Sequence, residues 1–290
     1  MSNNISIKKI SIILALFLTG LYIIFSLAFH DDQYKAEKML YGASRKQVKI
    51  MTRPDAVSPN LIEEAEAELK EVIDRFPETD AAKSAHMRLA ELYIADKRYE
   101  KALQLADEIG DRYAGDPGTA SKGYFFKVIV YERQDRWDKA LSELERLRDE
   151  YPTTIVGLQS PMYIAEYYLR AGDKDKAIEG YRSAAAYYEG ARKKHKGLLA
   201  GYASSNMAIK AFIFLGDFEK AGEIVEESIT DYPSAMVYSE QLQLVDAIFA
   251  EKLKQPKKAI ELYKIMIRST NDQKLKEYLH ARIGKFLEEE

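Results

Sequence analysis

The sequence predicts an all-α solenoid of helical hairpins preceded by one N-terminal transmembrane helix, and three observations carry this fold class. An alanine-centred motif recurs down the chain, with Ala65, Ala102, Ala140, Ala177, Ala221 and Ala259 standing 37, 38, 37, 44 and 38 residues apart. A nearly fixed period in this range marks a stacked repeat architecture. Upstream of each of these alanines except the first lies a second apolar segment of helical period. Ahead of all of them, "ISIILALFLTGLYIIFSLAF" runs from Ile10 to Phe29 without a charge.

That run comes first in the chain. At 1.5 Å per residue it matches a hydrocarbon layer of about 30 Å. Residues 1–9 are read as a cytoplasmic tail, because Lys8 and Lys9 abut the span, and residues 10–29 as the anchor. The chain is then a single-pass membrane protein whose repeat domain is extracytoplasmic, periplasmic in a bacterium. The rival reading is a signal peptide cleaved after Ala28 at the small pattern Ser26-Leu27-Ala28. It would release a periplasmic module that binds cell-wall glycan or unfolded chains.

Residues 30–59 form a juxtamembrane helix and linker. Tyr34 to Met51 reads as a helix, with Ala36, Leu40, Ala43 and Ile50 on one side, and it is expected to shield the first repeat. "TRPDAVSPN" breaks helicity at Pro54 and Pro59, and Asn60 with Glu63 three residues on resembles a capping start.

The repeats span residues 60–271. In "MRLAELYIADKRYEKA", Leu89, Ala90 and Tyr93 share one helical face before "ADKR" interrupts and the next helix begins. Val128 with Tyr131, Ala165 with Tyr168, Ile209 with Phe212, and Ala247 with Ala250 repeat the pattern. Each unit is thus helix, short turn, helix. Gly172 and Gly216 fall at two of the turns, where a left-handed backbone suits glycine. Small residues such as Ala90, Ala102, Ala165 and Ala177 allow two antiparallel helices to approach closely. Pro77, Pro152 and Pro233, after "DRF", "DEY" and "TDY", stop the second helices because proline cannot continue the ladder. Residues 272–290 place Leu275, Leu279, Ile283 and Phe286 along one face of a terminal capping helix.

With the alanine, the large apolar residue four positions on and the terminal proline in place, these units resemble tetratricopeptide repeats. The ends "VIDRFP" and "LRDEYP" look most like the bacterial membrane-anchored, periplasmic envelope members of that family. The resemblance implies a right-handed superhelical solenoid whose first helices line a concave, partner-binding face. In this register that face presents Met87, Glu91, Phe125, Ile129 and Arg133 in the earlier repeats. Met162, Glu166, Arg170, Asn206 and Lys210 follow in the later ones. Some family members clamp a peptide's C-terminal carboxylate with asparagine and lysine pairs. Here Met87, Glu91 and Phe125 hold those places, so that ligand is not expected.

Composition and motifs exclude much else. A net charge of -3 and a pI near 6.0 give no basic face for nucleic acid. The absence of cysteine excludes disulfides, thiolate metal sites and a lipidated cysteine. No phosphate-binding loop, dinucleotide fingerprint, zinc helix or nucleophile elbow occurs, and His30, His86, His195 and His280 are scattered. No catalytic residue, cofactor, metal or small-molecule substrate is expected. His86 reads as a packing residue rather than a ligand or base, and Trp137, matched by Tyr99 and Phe218 in other units, reads as helix-start packing. The 44-residue interval carries Arg192, Lys193, Lys194 and Lys196, a basic cluster with two readings. It is either a contact for an acidic partner or lipid head group, or a solvated helix extension, and the second is favoured. The function expected is a non-enzymatic, membrane-tethered scaffold that binds proteins or peptides, with envelope assembly or maintenance as its setting.

Overall fold

The computed structural model describes residues 14–24, 32–52 and 58–288, and their regular structure is entirely helical. Residues 14–24 form α1. There follow α2 (Asp32–Thr52), α3 (Pro59–Arg75), α4 (Asp80–Ala95), α5 (Tyr99–Arg112), α6 (Pro117–Arg133) and α7 (Trp137–Glu150). Then come α8 (Ile155–Arg170), α9 (Lys174–Lys194), α10 (Leu199–Leu215), α11 (Phe218–Asp231) and α12 (Ala235–Val245). A π-helical segment, Asp246–Lys252, continues α12 and leads to α13 (Pro256–Ser269) and α14 (Gln273–Glu288). The chain divides into two compact units, Met1–Ala140 and Leu141–Glu290.

Among the described residues no helix is long and apolar enough to cross a membrane. Of the apolar run from Ile10 to Phe29, only the part that forms α1 lies within them. The expected tail, the Ala28 cleavage site and Pro54 lie outside the described residues.

In the first unit α2 pairs with α3 and α4 with α5, while α6 packs on α5 and α4. Every repeat alanine here is fully buried: Ala65 on α3, Ala102 on α5 and Ala140 on α7. The helix expected merely to shield the first repeat is instead the first member of its hairpin. Ala36 and Ala43, two helical turns apart on α2, are both fully buried in the core cluster that holds Ala65 and Leu69. The capping expectation at Asn60 is also corrected. Ser58 is the N-cap of α3, Pro59 opens the helix, and no side chain caps it.

In the second unit α8 pairs with α9, α10 with α11, and α12 with its π segment against α13. Helix α14 packs on α13 and buries Leu275, Leu279 and Phe286, with Ile283 alongside. Helices α8 and α9 approach closely: a Cβ on Gly180 would stand 2.9 Å from the Ala165 Cα. Arg282 fastens α14 to the π segment through Asp246, at 2.8 Å from Nε and 2.6 Å from Nη2.

Several helices begin on a side-chain cap. Thr79, Asp116, Thr154, Asp173, Asp217 and Ser234 each accept a hydrogen bond from the backbone amide three residues on. Within the hairpins one turn geometry recurs. Lys97, Asp135, Gly172, Gly216 and Lys254 all hold positive φ, between 55° and 77°. In four of these turns the next amide bonds a carbonyl five residues back, as in Arg98 to Tyr93 and Asp173 to Tyr168. At Lys254 the corresponding bond, Gln255 to Phe249, reaches six residues back, because the π segment inserts one residue. The left-handed position is therefore shared by the five hairpin turns among the described residues, with lysine or aspartate filling it where glycine is absent.

Candidate partner-binding surface

The ten first-helix positions singled out by the repeat register do not form one open row. In the first unit Met87 and Ile129 are partly buried against the core, Phe125 is half-buried, and Arg133 is exposed in the last turn of α6. Glu91 is partly covered and engaged from α2. Gln47, 1% exposed, donates through Nε2 to the Arg88 carbonyl at 3.0 Å and to Glu91 Oε2 at 3.1 Å.

The second unit uses the same device in another place. Gln241 on α12 is fully buried and donates to Asn206 Oδ1 on α10 at 3.0 Å. Gln47 and Gln241 thus tie neighbouring first helices together through residues that the repeat register assigns to the groove. Neither glutamine stands out in the sequence, since a polar residue on a helix is ordinarily read as solvated.

Met162 is a correction. It is 6% exposed and belongs to the core of the second unit, because it falls four residues after Leu158 and three before Ala165, on the buried stripe. Glu166, Arg170 and Lys210 remain exposed, and the Arg170 guanidinium lies 5.4 Å from the Tyr163 ring centre. The open polar positions are Arg133 on the first unit and Glu166, Arg170 and Lys210 on the second.

Three of the four cations in the basic cluster are paired within the unit. Arg192 pairs with Glu189 at 3.0 Å and with Glu227, Lys193 with Glu189 at 3.2 Å, and Lys196 with Asp231 at 2.9 Å. Burial works against the charge of Arg192, yet its bonds to Glu189 and Glu227 outweigh it and raise its pKa. Lys194 alone of the four has no part in these pairs and is exposed.

Two partly buried polar clusters are not legible in the sequence. Glu66 on α3 accepts from Tyr93 Oη at 2.8 Å, Lys70 Nζ at 2.8 Å and Arg98 Nη1. Burial pushes its pKa up, but these three donors prevail and hold it at about 2. In the second unit Asp246 accepts from Arg282 and Tyr263.

His86 is fully buried, as packing requires. Its Nδ1 lies 2.9 Å from the Ala82 carbonyl, which can only accept, so Nδ1 carries the proton and Nε2 the lone pair. Tyr113 stands edge-on to the ring, and Glu108 Oε1 is 3.6 Å from Nε2. Among the described residues no group of three His, Cys, Asp or Glu side chains is placed to hold a metal ion.

Two family models agree with the hairpin architecture. Both describe the tetratricopeptide repeat, one matching residues 60–120 and the other residues 129–154. The chain contains tetratricopeptide repeats. Solved structures similar to it include a tetratricopeptide repeat protein from Parabacteroides merdae, at 12% identity and a TM-score of 0.34. That likeness covers 86% of this chain and 99% of the other. BtubC (BKLC) from P. vanneervenii is similar at 14% identity and a TM-score of 0.34, over 87% of this chain and 90% of its own. Likenesses this loose carry no argument about partners. None of the curated proteins matches the sequence. Tetratricopeptide repeats, stacked hairpin on hairpin, are protein-interaction scaffolds.

Proposed function

We propose that this tetratricopeptide protein is a non-enzymatic scaffold, tethered to a membrane by residues 10–29, that recruits a partner protein through the first helices of its repeats. Its setting is the cell envelope, with the repeats on the extracytoplasmic side. The observation that supports the tether is the uncharged run from Ile10 to Phe29, which follows Lys8 and Lys9. Support for the recruiting surface comes from exposed first-helix charges, Arg133 in one unit and Glu166, Arg170 and Lys210 in the other. Tethering confines the scaffold to the layer its partners occupy, so modest affinity at each surface suffices.

Photocrosslinkers at Arg133 and Arg170 in native membranes test the recruiting surface. A partner protein captured at these positions, and lost in Arg170→Glu, is the expected outcome. Crosslinking that yields no protein adduct at either position overturns it. The tether is tested by alkaline extraction and N-terminal sequencing of the mature chain. Retention in the membrane with residues 10–29 intact is expected, whereas a mature chain beginning at Phe29 supports the released, periplasmic form.

A further inference from the structure

Helix α2 has one face inside its hairpin and one turned outward. Ala36, Ala43, Gln47 and Ile50 point into the unit, and the opposite face carries Tyr34, Tyr41 and Val48, which are 43%, 66% and 54% exposed. These three stand seven residues apart, so they line up along the helix. Lys38, Arg45 and Lys49 run beside them on the same outward face, each within a turn of Tyr41 or Val48, and all three are exposed. The Arg45 guanidinium lies 6.0 Å from the Tyr41 ring centre. Lys46 is not part of this row, because it turns to Glu64 and Glu68 on α3, at 2.8 Å from each.

We propose that this outward face of α2 lies on the bilayer surface, with Tyr34, Tyr41 and Val48 at the level of the head groups and Lys38, Arg45 and Lys49 among anionic lipids. The inference rests on the tethered reading, since the apolar run that would span the membrane ends at Phe29 and α2 begins at Asp32. A chain leaving the bilayer has no length there to carry α2 far from the surface. Tyrosine is enriched at membrane interfaces, where its ring meets the acyl boundary and its hydroxyl stays wet. Lysine and arginine extend apolar stems along such a surface and keep their charges at the phosphates. Acidic groups on this side of the helix are few: Glu37, which accepts from Gln33 at 2.6 Å, and Asp32, paired with Lys35 at 3.4 Å.

A second copy of the chain fits this face less well. Two helices packing in a seam need apolar residues at both the first and fourth positions of each heptad. Three residues after Tyr34 and Tyr41 stand Glu37 and Ser44, and four residues after them Lys38 and Arg45. A symmetric pair would set these cations against one another, whereas an anionic surface neutralises them.

The absence of cysteine from the chain allows a single label to report. Full-length protein carrying Tyr41→Cys or Val48→Cys is nitroxide-labelled and reconstituted in phosphatidylcholine vesicles with and without phosphatidylglycerol. Glu71→Cys, on the exposed side of α3, is the reference. With phosphatidylglycerol, collisions with a water-soluble nickel chelate are expected to fall several-fold at both α2 positions and to stay unchanged at the reference. The charge reversal Lys38→Glu, Arg45→Glu and Lys49→Glu should restore them. Protein that floats with the vesicles while both α2 labels remain as open to the chelate as the reference overturns the inference and leaves the tether standing. Spin–spin broadening between copies overturns it in favour of self-association. Protein that fails to float overturns the tether and this inference together.

Discussion

The hydroxyl of Tyr188 on α9 sits within the hydrogen-bond ladder of α8, donating to the Leu158 carbonyl at 2.7 Å and accepting from the Met162 amide at 3.3 Å. Pro161 stands between those two residues, inside α8, with no N–H of its own and a ring that crowds the preceding turn. In an uninterrupted helix Met162 would bond Leu158 directly. Here a fully buried tyrosine bridges the pair, and burial raises the pKa of its phenol, keeping it protonated and able to donate. The neighbouring helix thus serves the backbone groups on either side of the proline through one buried hydroxyl.

Tyr188→Phe therefore leaves a buried carbonyl and a buried amide without that partner, while the aromatic ring still fills its place. A loss of roughly 1–3 kcal/mol is expected, read as a lowered urea midpoint with an unchanged m-value. A change of less than a few tenths would show that the two backbone groups find each other without the hydroxyl.

The shared turn geometry predicts opposite outcomes for two substitutions. Lys97 holds φ of 58° where glycine would fit without steric cost, so Lys97→Gly should stabilise by roughly 0.5 kcal/mol after the added freedom of the unfolded chain is subtracted. Gly172 holds φ of 77° and a Cβ there would meet nothing within 4 Å. Gly172→Ala should thus destabilise by about 1 kcal/mol through the backbone alone. Thermal unfolding of the two variants beside the parent chain checks both signs.

His86 makes the folded chain sensitive to mild acid. Burial, only partly offset by the Ala82 carbonyl and Glu108, holds its pKa below the ordinary 6.5. The unfolded chain then takes up a proton that the folded chain refuses. Its contribution is whole above 6.5 and is lost as the pH falls below that value. Urea midpoints should drop between about pH 7.5 and pH 5.5, and His86→Gln should flatten that drop.

Glu66 acts further down the scale. With its pKa at about 2 against an ordinary 4.5, it contributes stability that is present above 4.5 and lost as the pH falls toward 2. Glu66→Gln keeps the shape and removes the charge that Arg98, Lys70 and Tyr93 address. The expected cost at neutral pH is roughly 1.5–3 kcal/mol, the range for hydrogen bonds to a charged group. The acid limb of the stability profile should become shallower between 4.5 and 2.

Much of the fold was legible before any coordinates, because periodicity is local information. Ala140 and Pro152 mark the inner contact and the stop of α7, and α7 does end at Glu150 with Ala140 buried. The candidate surface was less legible. A helical register says which residues share a face, but it does not say which neighbours reach across to them. Glu91 and Asn206 lie on the predicted faces and are claimed by Gln47 and Gln241. Arg192 and Lys196 form a basic cluster in sequence and are paired with Glu227 and Asp231, 35 residues further on in each case.

By itself the sequence determined the repeat, the glycine turns and the sites where helices approach closely. All of these depend on a residue's own backbone preference or size within one or two helical turns. Only the tertiary structure decided that α2 is the partner of α3, that Tyr188 bonds the backbone of α8 on either side of Pro161, and which first-helix charges are exposed. Those outcomes depend on contacts between residues far apart in the chain, where burial turns a polar side chain from a solvated group into one that must find a partner.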